Sequence, residues 1–161
     1  MQITRPFSSP QGDNYLIRIG EFNKSMLPDF LAEALQDVEI LDVTLERIEG
    51  NNITSLSVLL NITKFIADIL RDNENSILYF YCDDIHDIPR RQKHIKPQHF
   101  RSILFSKMFE RYVTANHIYN FVNTPIKIIA DRDIYIHFIS RTQHLTLVDK
   151  MKEAIVELSK Q

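Results

Sequence analysis

Between Cys82 and Arg101 the chain reads CDDIHDIPRRQKHIKPQHFR, a stretch crowded with side chains that can do chemistry. Asp83, Asp84, His86 and Asp87 could offer oxygen and imidazole ligands to a divalent cation, and a metal-activated water would make the chain a hydrolase. Their spacing matches neither an H-E-x-x-H pair nor a calcium-binding loop. Ion pairing with the basic residues that follow is the simpler expectation, and no metal ligand is assigned. Cys82 could act as a nucleophile if His86 or His94 approached it. A reactive thiolate needs electropositive surroundings, and Asp83 and Asp84 would raise its pKa. Cys82 therefore reads as a small apolar residue at the end of a core strand.

The cations form the second candidate. Arg90, Arg91, Lys93, Lys96 and Arg101 could bind an acidic partner or the phosphates of a nucleic acid, with Pro97 opening a helix whose N-terminus also favours anions. His94, His99 and Phe100 could stack on bases. Residues 88–111 carry seven Arg or Lys against Glu110 alone, in a chain whose net charge is −2. Dedicated nucleic-acid binders are usually basic across a whole domain. A contact surface for a protein partner, or for self-association, is the leading expectation; nucleic acid is the alternative and a metal-dependent hydrolase the third reading.

Elements with the right periodicity must hold these residues. NYLIRIGEF and VEILDVTLERIE alternate as strands, and SILYFYC is a short apolar run suited to a buried central strand. Between them, Thr54 to Arg71 repeats apolar residues at helical spacing. A short helix is expected over KSMLPDFLAEALQ. Pro97 starts another, reaching about Thr114 with a stripe of Leu104, Phe105, Met108, Phe109 and Tyr112. IYNFVNTPIKIIA and DIYIHFISR read as a hairpin, and His144 to Ser159 as a last helix. Alternating strands and helices predict an α+β (or α/β) domain over 1–161, with a five-stranded mixed sheet and three main helices. Residues 1–12, with Pro6, Pro10 and Gly12, read as a flexible arm.

Arg101 departs from its pattern. Advancing 100° per residue places it between Met108 and Phe105, on the apolar stripe. A guanidinium there must reach water or find a partner, and Asp83, Asp84 or nearby carbonyls are the candidates.

Composition narrows the functional classes. With 44% hydrophobic and 25% charged residues, the chain suits a folded core. No stretch is apolar enough to span a membrane, and no signal peptide is evident. A single cysteine excludes an internal disulfide and suits a reducing, cytoplasmic setting. The three glycines form no phosphate-cradling or dinucleotide motif, so no cofactor is expected. The glycine-free span after Gly50 leaves Asn73 and Asn116 as the expected left-handed residues at two helix ends.

The segments SILYFYCDD, RSILFSKMFERY and IKIIADRDIYIHFISR together resemble an uncharacterised bacterial family of unknown function. The resemblance spans roughly residues 54–141 and rests on Cys82-Asp83 and on Arg101, Leu104, Phe105, Met108 and Phe109. It implies a shared fold and no particular activity.

Overall fold

The computed structural model describes residues 2–160, apart from the side chain of Met26. The fold is α+β, built on one mixed sheet with strand order β1-β2-β3-β4-β6-β5. The strands are β1 (Ile3–Ser8), β2 (Asn14–Glu21), β3 (Glu39–Glu49), β4 (Ser76–Tyr81), β5 (Phe121–Ile128) and β6 (Ile134–Arg141). The helices are α1 (Asp29–Ala34), α2 (Leu56–Asp72), α3 (Pro97–Ala115) and α4 (Leu145–Leu158). Only β3 and β4 pair in parallel, with α2 as their crossover; the other neighbours are antiparallel.

The sheet has six strands rather than the five expected, because part of the presumed arm is β1. It pairs with β2 from Ile3↔Ile19 to Ser8↔Asn14. Ile3 and Phe7 pack on the core, and the Arg5 guanidinium lies over the Phe7 and Phe65 rings. Proline is tolerated on an edge strand, so Pro6 does not argue for disorder here. Pro125 likewise lies within β5, the opposite edge, in register with His137.

Two cores flank the sheet. On one face, Val58, Ile62, Ile66 and Leu70 of α2 and Phe109 of α3 pack on Ile17, Ile19, Leu41, Val43, Leu78, Phe80 and Ile139. On the other, Leu31 of α1 and Val148 and Met151 of α4 pack on Ile40, Ile77, Ile136 and Phe138. The alternation of Ile77 and Leu78 between the two clusters is the period of two that a doubly covered strand requires. Among the described residues no helix is long and apolar enough to cross a membrane.

The helix ends depart from expectation. Asn73 and Asn116 have φ of −123° and −103°, not left-handed values. Each caps its helix with its side chain instead: Asn73 Nδ2 donates to Ile69 O at 2.7 Å and Asn116 Nδ2 to Tyr112 O at 2.9 Å. The left-handed residue after α3 is His117, at φ 53°. Its N–H donates to Thr114 O, and that of Ile118 to Val113 O, the paired bonds of a Schellman ending.

Candidate functional site

The stretch singled out above leaves the carboxyl end of β4 and returns to the sheet as α3. Cys82 is its root, with its N–H bonded to Tyr135 O at 2.9 Å. Its thiol is fully buried, and burial pushes its pKa up to about 12, with only partial opposition from Arg101. Desolvation is the cause of this rise, rather than the neighbouring acids.

Asp83 then folds the chain over itself. Its carboxylate accepts from Ile85 N at 2.9 Å and lies 2.6 Å from His86 Nδ1, an Asx-type turn. Burial opposes its charge, yet these bonds and Arg101 hold its carboxyl below the usual range. Arg101 reaches into this turn from the start of α3. It donates to the carbonyls of Asp83 and His86, each at 2.8 Å, and to that of Asp87 at 3.2 Å. Its side chain is 18% exposed, so the guanidinium is largely buried and held by carbonyls. The buried residues of the helix are Gln98, Ser102, Met108, Phe109 and Tyr112, and at 100° per residue Arg101 lies within their arc, between Met108 and Tyr112. Its place in the first two turns lets it meet the loop carbonyls.

Arg90 acts in the same way one turn further along. Buried, it donates to Ile95 O at 2.7 Å and to Ile88 O at 2.9 Å, and it pairs with the Asp87 carboxylate. Asp84 accepts from Tyr81 OH at 3.0 Å and faces Arg132 at 3.6 Å, tying the loop to the β5–β6 turn. Asp83 and His86 thus pair with each other, while Asp84 and Asp87 turn to Arg132 and Arg90, so the four do not converge. Among the described residues no group of three or more His, Cys, Asp or Glu side chains could hold a metal ion.

Of the five cations proposed for binding, Arg90 and Arg101 are internal ties. Arg91, Lys93 and Lys96 are exposed, and their side chains enter no hydrogen bond or ion pair among the described residues. His94 is exposed beside them. His99 lies flat on Tyr135, with centroids 4.8 Å apart and planes 6° from parallel, so its ring is already stacked. Ile85 in the loop and Ile129 in the turn that the Asp84–Arg132 pair ties to it are 73% and 79% exposed.

A second polar constellation was not anticipated. Gln98, Ser102 and Ser106 follow one another at four-residue spacing on α3 and hydrogen-bond to the β5–β6 hairpin. Gln98 Nε2 donates to Asp133 O at 3.1 Å, Ser102 Oγ lies 2.9 Å from His137 Nε2, His137 Nδ1 2.9 Å from Asn123 Oδ1, and Asn123 Nδ2 donates to Ser106 Oγ at 3.1 Å. Ser102, His137 and Asn123 connect as nucleophile, base and orienting group do in a hydrolytic triad. Here His137 is fully buried among Phe80 and Phe105, and burial pushes its pKa down to about 4. Ser102 is buried too, and neither groove described on the surface is lined by it. The network fastens α3 to the sheet. Its signal in the sequence was the polar i, i+4 series Gln98, Ser102 and Ser106 along one side of α3.

No family model matches the chain, and comparison with the curated proteins and with solved structures finds no match.

Proposed function

We propose that the chain is a small, non-catalytic cytoplasmic interaction module whose contact surface is the loop Arg91–Lys96 with its apolar flanks Ile85 and Ile129. One observation supports this above the rest. Each carboxylate between Asp83 and Asp87 has a partner within its own loop or the adjacent turn, whereas the side chains of Arg91, Lys93 and Lys96 make no hydrogen bond or ion pair among the described residues, Lys93 acting on Asp87 only at longer range. The loop is therefore folded and anchored at its base, yet presents unneutralised positive charge at its tip. Such a surface favours an acidic partner through steering and register. The single cysteine is the ground for the reducing compartment.

Nucleic acid is the second reading. Lys107 and Arg111 are exposed on α3, and on a helical wheel they fall within about 60° of Lys96, extending the basic surface along the helix. The stacked His99 and the inward Arg90 and Arg101 favour the protein partner.

A titration of a short polyglutamate peptide and of single-stranded and duplex oligonucleotides at low salt tests both. Polyglutamate binding abolished in Arg91→Ala/Lys93→Ala/Lys96→Ala is the expected result. Binding of oligonucleotides alone, with a salt slope that falls when Lys107 and Arg111 are replaced, would transfer the assignment to nucleic acid. Binding to neither probe would remove the loop as a recognition surface.

A further inference from the structure

A groove of about 650 Å³ lies at the opposite end of the sheet from the basic loop. It opens where β3 and β4 begin, at the paired residues Glu39 and Ser76. Phe22, Val38 and Ile40 are the apolar residues of a mostly polar lining, with Val38 and Ile40 buried, and its volume falls in the range of about 300–1,000 Å³ typical of binding sites. Asp37, Glu39 and Glu74 are on its lining, and their side chains make no hydrogen bond or ion pair among the described residues. Lys24, the one cation in the lining, is held by main-chain carbonyls and makes no ion pair with them. Its Nζ donates to Leu35 O at 2.9 Å and Val38 O at 2.6 Å, where α1 ends.

The molecule thus carries unpaired charge of opposite sign at its two poles, separated by the six residues of β4, about 20 Å of strand. Each pole also has some apolar surface: the exposed Ile85 and Ile129 at the basic end and the half-buried Phe22 in the groove. We propose that the groove receives the basic loop of a second copy of this chain, so that Arg91, Lys93 and Lys96 of one molecule meet Asp37, Glu39 and Glu74 of the next. This names the acidic partner of the surface assigned above and rests on that assignment. Because the two surfaces are different and lie at opposite ends, the contact is head-to-tail. Such a contact leaves one basic and one acidic pole open and extends into chains or closes into rings, in contrast to a two-fold dimer. The like-charged ends repel and so select this pairing over head-to-head contact.

The experiment is sedimentation of the whole chain across a concentration series. Average mass should rise past that of a dimer at 50 mM salt, and the association should weaken about tenfold by 300 mM as exposed charges are screened. Two charge-reversed chains sharpen the test: Arg91→Glu/Lys93→Glu/Lys96→Glu at the loop, and Asp37→Lys/Glu74→Lys at the groove. Each alone should remain monomeric with an unchanged thermal unfolding curve. Mixed at equal concentration they should associate again, since the acidic loop of one then faces the basic groove of the other. A chain that stays monomeric at low salt, or a dimer indifferent to the groove substitutions, would overturn the proposal. Polyglutamate titration separates the two levels. Binding of the peptide without self-association leaves the loop as a recognition surface and removes the second copy as its partner; loss of both removes both.

Discussion

The guanidinium of Arg101 donates to the main-chain carbonyl of Asp83 at 2.8 Å, while its closest approach to the Asp83 carboxylate is 4.0 Å. The tie between helix α3 and the loop is therefore made to backbone, and the charge of Asp83 is secondary to it. Arg101→Met removes donors to the carbonyls of Asp83, His86 and Asp87 and should cost about 3 kcal/mol, the scale of a lost bond to a charged group plus stranded acceptors. Asp83→Asn keeps an oxygen for the Ile85 N–H and should cost less than about 1 kcal/mol. Urea denaturation of the two variants checks the order. Equal losses would mean that the carboxylate carries the tie.

Arg141 should be the most sensitive cation of the chain. Buried at the end of β6, it donates to the carbonyls of Leu70, Arg71, Asn73 and Glu74 and so closes the C-terminus of α2, where positive charge is favoured. Its guanidinium also lies 5.4 Å from the Phe121 ring centroid. Arg141→Met should lose about 3 kcal/mol, and Arg141→Lys should regain only part, because an ammonium cannot span this fan of acceptors. Hydrogen exchange at the last turn of α2 should accelerate in both variants; protection equal to the parent would contradict the capping role.

His137 predicts acid sensitivity. Burial lowers its folded pKa to about 4 from 6.5. The unfolded chain therefore binds the proton more readily, and the stability tied to neutral His137 is fully present above pH 6.5 and lost as the pH falls toward 4. Within that window the slope should approach about 1.4 kcal/mol per pH unit from this one group. Denaturation midpoints between pH 7 and 4.5 should show it in the parent and lack it in His137→Gln. An unchanged slope in that variant would assign the effect to other groups.

Gly50 should tolerate no side chain. It sits at φ +101°, and a Cβ would fall 1.7 Å from Oδ1 of the buried Asp13, which also faces Arg47 at 3.6 Å. Gly50→Ala combines backbone strain with a displaced buried carboxylate and should cost about 2–4 kcal/mol. Gly12→Ala, with open space around its Cβ position, should suffer only the strain of positive φ, about 1 kcal/mol. Thermal unfolding of the pair measures the difference.

Much of this protein was legible in its residue pattern. Strands β2 and β3 and helices α2 to α4 follow from apolar periods of two and 3.6, because those periods decide which face of a segment can be buried; β4 follows from its short unbroken apolar run, and β5 and β6 from two such segments about a turn. The same reasoning identified the loop after Cys82, and it placed Arg101 close enough to the core to require a partner. What the pattern could not supply is which groups meet across the chain. β1 depends on a pairing partner that makes Ile3 and Phe7 core residues in spite of Pro6. Arg90 and Arg91 are adjacent and chemically identical, yet one is buried on Ile95 O and the other faces water. Residue type sets the charge of each, while its direction depends on where the returning chain places carbonyls. The Ser102–His137–Asn123 network joins residues from α3, β6 and β5, and the acidic groove gathers residues from Glu21 to Ser76. Local propensity acts over a few residues, whereas such contacts exist only once the sheet has been assembled, so tertiary structure alone decided them.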